Sequence, residues 1–309
     1  MSEETKYEID YKKLIGQGAF ASVYLSRRKG EKDYNYVAKE IRKKSKFMGV
    51  VEREIKNAET MKDKQHPNVL YIKDVEKTKE SVIVYSKYYK GKTLEDYMDA
   101  KAILPINEVK DFFTEILQGL DFLHSKGIVH RDMKNENVFL EIKEDDKYRA
   151  VIGDLGFARD IQDSMDTIIG TPITMSPELF EYEVYSNNVD IWALGSMLYK
   201  MCFGKYPFEE GNLKKNIKEG KYTLKNNILA TVNSLKIIAK CLSKNPAKRP
   251  TTEQLLKEDL VTKPLEELEL VWIKKDITLS ITNGIVELEK SLNKEENFYI
   301  INPRTKHEY

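Results

Sequence analysis

The sequence predicts an α+β fold: a small antiparallel β-sheet in the residues up to Tyr85, followed by a larger, mainly helical part. Three observations carry this. Short β-rich apolar runs separated by turns fill the chain as far as Tyr85. Val109, Phe112, Phe113, Ile116, Leu117, Leu120 and Leu123 recur at the spacing of one helical face. Val189 to Met201 is nearly all apolar, the signature of a helix buried all round.

The bulk properties narrow the class. A chain of 309 residues can bury a large core in one or two domains. Hydrophobic residues make up 41% and charged residues 33%, with a net charge of +1, which describes a globular, water-compatible chain. A nucleic-acid binder would carry a basic excess that is missing here. No apolar run reaches the length of a membrane span, and Met1 to Glu8 lacks the apolar segment of a signal peptide. Cys202 and Cys241 each sit in apolar helical sequence. They read as core packing in a reducing compartment, cytoplasmic or nuclear.

The elements follow in order. Tyr11 to Leu14 and Val23 to Leu25 read as strands around the turn I-G-Q-G-A-F-A-S-V, Ile15 to Val23. Gly16 and Gly18 let backbone approach a phosphate closely, and Phe20 can cap the turn. A dinucleotide-binding turn would open a helix, whereas S-V-Y-L-S is strand-like, so that class fails on topology. Tyr34 to Ile41 is a third β-rich run, with Lys39 inside it. Lys43 to Lys46 reads as a solvated turn before a helix over Val50 to Lys64. Val69 to Val75 and Ser81 to Tyr85 complete the sheet. Thr93 suits an N-cap, and the apolar stripe of Val109 to Ser125 leaves Phe122 on another face.

That helix leads to I-V-H-R-D-M-K-N-E-N, Ile128 to Asn137, a polar cluster between two apolar anchors. Such a loop is held rigidly, as a preorganised site requires. Its spacing suits phosphoryl transfer: Asp132 can accept a hydroxyl proton, Lys134 can neutralise a phosphate, and Asn137 can hold a divalent metal. Val138 to Ile142 and Ala150 to Ile152 then read as a hairpin around Glu144 to Tyr148.

H-R-D-x-K-x-x-N resembles the catalytic loop of the eukaryotic protein kinases, in its Ser/Thr form. The resemblance runs from about Tyr11 to Leu260, in the family's order of motifs, and implies two lobes. The small lobe would span about 11–86 and the large lobe about 90–261, flanked by an N-terminal segment 1–10 and an extension 262–309. It implies an ATP site lined by Ile15, Gly16, Gly18, Phe20, Val23, Val37, Lys39, Glu54, Ser86, Lys87, Tyr89 and Phe139. V-A-K at Val37 to Lys39 is similar to the strand bearing the ATP-positioning lysine, whose carboxylate partner would be Glu54, with Glu59 as its rival. Ser86 falls at the gatekeeper position, ahead of a hinge whose backbone at Lys87 and Tyr89 would bond adenine. G-D-L-G resembles D-F-G, so Asn137 and Asp154 would hold Mg²⁺, with Asp132, Lys134 and Lys39 as catalytic residues.

The same resemblance makes Asp154 to Glu178 an activation segment. Thr167, or Ser164, would be phosphorylated there and paired by Arg131 and Arg159. Asp190 would bond the catalytic-loop backbone, and Arg249 would pair with Glu178. The chain departs from the family at Ala21, where a third glycine is usual, and at Leu155, which replaces phenylalanine. The implied activity is transfer of the γ-phosphate of ATP to Ser/Thr hydroxyls of proteins, with a kinase-shaped scaffold, a pseudokinase, as the alternative. Glu136 lies where some members bind a basic substrate residue, but Thr93 and Lys200 replace further acids, so no basic consensus is expected. In the extension, Glu266 to Ile273 and Ile285 to Leu292 have helical spacing. Whether it packs on the lobes, links to something else or binds a partner stays open, as does the oligomeric state.

Overall fold

The computed structural model describes residues 5–17, 21–43, 48–101, 103–143, 147–154, 173–180, 186–209 and 213–301. Five antiparallel strands come first: β1 (Tyr7–Gln17), β2 (Ala21–Arg28), β3 (Tyr36–Arg42), β4 (Ile72–Lys77) and β5 (Ser81–Lys87), in the order β1-β2-β3-β5-β4. The helix α1 (Met48–Met61) lies between β3 and β4 in sequence and buries Ala58 and Met61. Residues directly opposite across a ladder share a face. Val23, Lys39 and Val84 therefore lie side by side, as do Val37 and Ser86. Ile41 and Val84 join the main core from this face. The other face carries its own small cluster of Tyr7, Ala38, Ile83 and Tyr85. There Tyr7 stacks on Tyr85 at 4.1 Å.

After β5 the chain turns helical. In α2 (Leu94–Asp99), Thr93 is the N-cap: its hydroxyl accepts from the Asp96 N–H while the Asp96 carboxylate accepts from the Thr93 N–H. The helix α3 (Ile106–Ser125) buries the whole stripe read from the sequence, and Gly119 with it. Phe122, off that stripe, stacks on His66 at 4.9 Å. The hairpin β6 (Val138–Ile142) and β7 (Tyr148–Ile152) follows. A short α4 (Pro177–Phe180) precedes α5 (Asn188–Phe203), which is buried from Val189 to its end. Gly204, at φ +78°, stops α5 and donates its N–H to the Lys200 carbonyl. Then come α6 (Leu213–Glu219), β8 (Lys221–Leu224), β9 (Ile228–Thr231), α7 (Val232–Cys241), α8 (Thr252–Leu255) and α9 (Asp259–Thr262). The result is a β-sheet lobe and a larger helical lobe. Burial pushes the thiols of Cys202 and Cys241 up to about 12, so both are inert core residues.

The last described segment adds β10 (Leu270–Ile273), β11 (Ile277–Ser280), α10 (Gly284–Leu292) and β12 (Phe298–Ile301). β10 pairs with β9 on one side and β12 on the other, while β11 pairs with β8. The helical expectation for Glu266 to Ile273 is thus corrected: only a single 3₁₀ turn forms at Leu265–Glu267, and a strand follows. The apolar run is short enough to satisfy either period. Alternation decides it, because Val271 and Ile273 are buried while Trp272 between them is exposed. The helix over Ile285 to Leu292 is present within α10.

Candidate active site

The site begins with the loop that follows α3. The Asp190 carboxylate, at the start of α5, is fully buried. It accepts from the His130 N–H at 2.8 Å and the Arg131 N–H at 2.7 Å, and His124 Nε2 lies 2.9 Å away. Arg131 has φ +69°, a strained value for a side-chain-bearing residue. Two N–H bonds to a buried carboxylate hold the loop in that conformation. His130 is wedged between two backbones: Nδ1 accepts from the Asp132 N–H at 3.3 Å, so Nε2 carries the proton donated to the Gly153 carbonyl at 2.8 Å.

The loop presents Asp132 with its carboxylate already engaged. Lys134 Nζ and Asn137 Nδ2 each lie 3.0 Å from Asp132 Oδ2. Asn137 Nδ2 also donates to the Asp132 carbonyl at 2.7 Å. With its amide nitrogen committed to Asp132, Asn137 has its amide oxygen left for a cation. The Asn137 carbonyl accepts from the Gly153 N–H at 2.8 Å, next to Asp154. Asp154 has φ +50°, a second strained residue, and its Oδ1 lies 2.9 Å from Lys39 Nζ on β3. Asp132, Lys134 and Asn137 thus form one bonded group, and the Gly153 N–H ties it to the neighbouring Asp154, which meets Lys39 across 115 residues of chain. All are partly accessible, with Lys39 at 20% and Asp154 at 39% side-chain exposure.

The floor lies beside this group. Tyr89 and Phe139 face each other in parallel, with ring centroids 5.8 Å apart. A Cβ at Gly153 would come within 2.3 Å of the Phe139 ring, so only glycine lets that ring lie there. Burial, reinforced by the charge of Glu141, pushes the Tyr89 phenol up to about 12, and it stays protonated at neutral pH. Lys87 bonds Glu141 on β6, pinning the connection between the lobes to the hairpin below. Ser86 is buried and Ile15 is 45% exposed. At Gly16 an added Cβ would meet only Val23, at 3.7 Å, so space alone does not demand glycine there.

Several predicted residues lie outside this geometry. Gly18, Phe20, Arg159 and Thr167 fall outside the described residues, as do Ser164, Leu155 and the side chain of Glu54. Among the described side chains the carboxylate that meets Lys39 is Asp154, while Glu59, the rival to Glu54, is exposed and pairs with Lys77 on β4 at 2.5 Å. Sequence reading also passed over the anchors. Glu115 of α3 accepts from Lys143 at 2.8 Å and from the Ala150 N–H at 2.7 Å, fixing the hairpin that carries Phe139 and Asp154. Asn68 donates to the Ala150 carbonyl at 2.9 Å, and its own carbonyl takes the Ile152 N–H. A carboxylate or amide next to a buried stripe was the available signal. The Arg249 fork does meet Glu178, at 2.6 and 2.9 Å.

Among the described residues no cluster of three or more His, Cys, Asp or Glu could hold a metal alone. Asn137 and Asp154 offer two oxygen ligands, as many as a protein commonly gives Mg²⁺ when phosphates and water complete the shell. The donor set therefore fits that ion. No described helix is long and apolar enough to cross a membrane.

A fold of this kind, with an acid–lysine–asparagine loop facing an aspartate–lysine pair, defines a phosphotransferase class, and comparison with known proteins identifies the family. The model of the protein kinase domain matches residues 9–261, and the chain belongs to the protein kinase family. It is 34% identical over 213 residues to the human serine/threonine-protein kinase ULK1, covering 66% of this chain and 20% of that protein. It is 30% identical over 275 residues to the carbon catabolite-derepressing protein kinase of Candida albicans, covering 86% and 41%. The rat serine/threonine-protein kinase PLK2 is 31% identical over 256 residues, covering 80% and 36%. The chain thus spans less than half the length of these curated relatives.

Proposed function

We propose that this chain is an ATP-dependent Ser/Thr protein kinase acting on protein hydroxyls in the cytoplasm or nucleus. The observation that carries the reading is the single bonded group of Asp132, Lys134 and Asn137, one backbone hydrogen bond from the Asp154–Lys39 pair. Asp132 orients the acceptor hydroxyl and takes its proton as the oxygen–phosphorus bond forms. The bond from the γ-phosphorus to the bridging oxygen of the nucleotide breaks in the same in-line displacement. Lys134 lies beside the transferring group and stabilises its charge. Lys39 holds the outgoing phosphates, and Asn137 with Asp154 would hold Mg²⁺. When bound, that ion neutralises phosphate charge. The Tyr89–Phe139 floor and the backbone of Lys87 and Tyr89 receive the adenine. Control by phosphate on Thr167, paired by Arg131 and Arg159, belongs to the same reading and is supported by sequence alone.

The test is a phosphate-transfer assay with Mg²⁺ and ATP on wild type and Asp132→Asn. Loss of the general base is expected to lower kcat by about 10²–10⁴-fold while the melting temperature holds. An inactive wild type, or an Asp132→Asn protein of full activity, would overturn the reading.

A further inference from the structure

The outer face of the small-lobe sheet carries a groove of about 530 Å³, away from the candidate active site. Lys39 and Glu40 are successive residues of β3, so their side chains leave the sheet on opposite faces. Lys39 belongs to the nucleotide side and Glu40 lines the groove. Glu40 on β3 and Glu76 on β4 both stand opposite Ile83 of β5, which lies between them. Neighbouring strands are about 4.8 Å apart, so the two acids flank a gap about 10 Å wide at the backbone. Its floor is Ile83, which is 6% exposed. Neither acid meets a cation among the described residues. Glu40 accepts from the Ser81 hydroxyl at 3.2 Å, and Glu76 accepts from the Tyr85 hydroxyl at 3.1 Å. Arg42, opposite Ser81, and Lys79 line the end of the groove at the turn before β5, and they pair with neither acid. Tyr11 lines the groove as well. β1 loses register between Asp10 and Leu14, the kind of irregularity that re-aims a side chain. Tyr11 is 59% exposed, with the Tyr24 ring set edge-on to it at 5.1 Å. Burial raises its phenol above the ordinary value, and the charges of Glu40, Tyr24 and Glu76 raise it further, so Tyr11 stands near both acids.

Two half-buried carboxylates served only by neutral hydroxyls, beside an exposed aromatic ring, complement a cation in both charge and shape. A guanidinium suits the place better than an ammonium. It is planar, it forks its donors toward acceptors on two sides, and it stacks on aromatic faces. We propose that this groove docks a protein partner by taking the arginine of an extended segment. The guanidinium lies over Ile83, between Glu40 and Glu76 and against the ring of Tyr11. The site uses no part of the phosphotransfer machinery, which lies on the other face of the sheet, so it stands or falls apart from the kinase reading.

Saturation-transfer NMR on the full chain tests it with three probes. These are acetyl-Gly-Arg-Gly-amide, its citrulline counterpart of the same shape without the charge, and acetyl-Gly-trimethyllysine-Gly-amide. The arginine peptide is expected to bind about tenfold more tightly than the citrulline peptide, the combined scale of two partly exposed ion pairs and one cation–π contact. Glu40→Gln and Glu76→Gln are each expected to lose about threefold, and the double variant to bind both peptides alike. Tyr11→Ala should weaken the arginine peptide while Tyr11→Phe keeps it. Tyr11 is exposed, so this pair decides the matter if a glutamate variant does not fold. Equal affinity for arginine and citrulline, tighter binding of trimethyllysine, or a loss that follows Glu80→Gln instead of Glu40→Gln overturns the proposal. Added ATP and Mg²⁺ are expected to leave the affinity unchanged. Competition between nucleotide and peptide would put the peptide on the opposite face and overturn it equally.

Discussion

At Ser86 one small side chain would set the depth of the nucleotide pocket proposed above. It is buried, and it shares a face of the sheet with Val37 and Ile72. Methionine there would push two more heavy atoms toward the proposed adenine side. Bulky ATP-site inhibitors are expected to lose at least about tenfold in affinity to Ser86→Met, a loss one poorly fitting group can impose. The apparent KM for ATP should move much less. Equal inhibitor potency on both proteins would refute the pocket. Charges follow a similar economy of position. Burial alone would raise the Glu178 carboxyl, but the Arg249 guanidinium outweighs it, and the net shift is downward. A carboxylate depressed in the folded state stabilises above its unfolded pKa of about 4.3, and this support is lost as pH falls through the lower folded value. Glu178→Gln should cost roughly 3–5 kcal/mol at neutral pH by stranding Arg249. It should also flatten the loss of stability below about pH 4.3, which denaturant titrations at several pH values would measure. Parallel curves for the two proteins would dismiss the linkage. The candidate site residues were legible because they stand in short contiguous strings, His130 to Asn137 and Gly153 to Asp154. Their supports were not, since Glu115, Asn68 and His124 find partners dozens of residues away that no local pattern announces.

Among the elements, α3 leads into the candidate catalytic loop, braces its Asp190 anchor through His124, and also receives the loop before β4. Gly119 makes that contact possible, for a Cβ there would stand 2.5 Å from the Asn68 carbonyl oxygen and 3.0 Å from Ile152 Cδ1. In an exposed helix, glycine to alanine stabilises by about 1 kcal/mol. Here the sign should invert. The obstructing atom is backbone, already held by the Ile152 N–H, and it has no rotamer to yield. Gly119→Ala is expected to destabilise by about 1–3 kcal/mol, the range for overpacking a filled site. Thermal melts would show it, and a raised melting temperature would count against this packing. The main elements were legible because their periods are strong. The stripe of α3 and the alternation in the first sheet each repeat over several turns or pairs. Residues 270–273 were misread because four apolar residues fit both periods. What settles them is pairing with β9, a partner invisible in the local sequence.

Across the whole molecule, one buried core runs from the inner face of the sheet, through α3 and α5, into β10, β11 and α10. The family match stops at residue 261, yet the packing continues past it. β10 inserts between β9 and β12, β11 covers the edge of β8, and the Ile281 N–H donates to the Gly220 carbonyl. Val271, Ile273, Leu279 and Leu288 are each 1% exposed or less. If the chain ended at Thr262, β8 and β9 would lose their ladder partners, and Tyr222, Leu224 and Ile228 would lose cover. Re-exposing the equivalent of two such side chains costs about 3–6 kcal/mol at about 1.5–3 kcal/mol each. That is a large fraction of the 5–15 kcal/mol by which a typical domain is stable. At about 2–4 °C per kcal/mol for a chain of this size, truncation should lower the melting temperature by about 6–24 °C. The exposed strand edges should also promote association. A truncated chain that melts with the full chain and stays monodisperse would mean that residues beyond 262 contribute nothing to the large lobe. A drop confined to stability, with kcat preserved well below the melting transition, would assign them to the core alone.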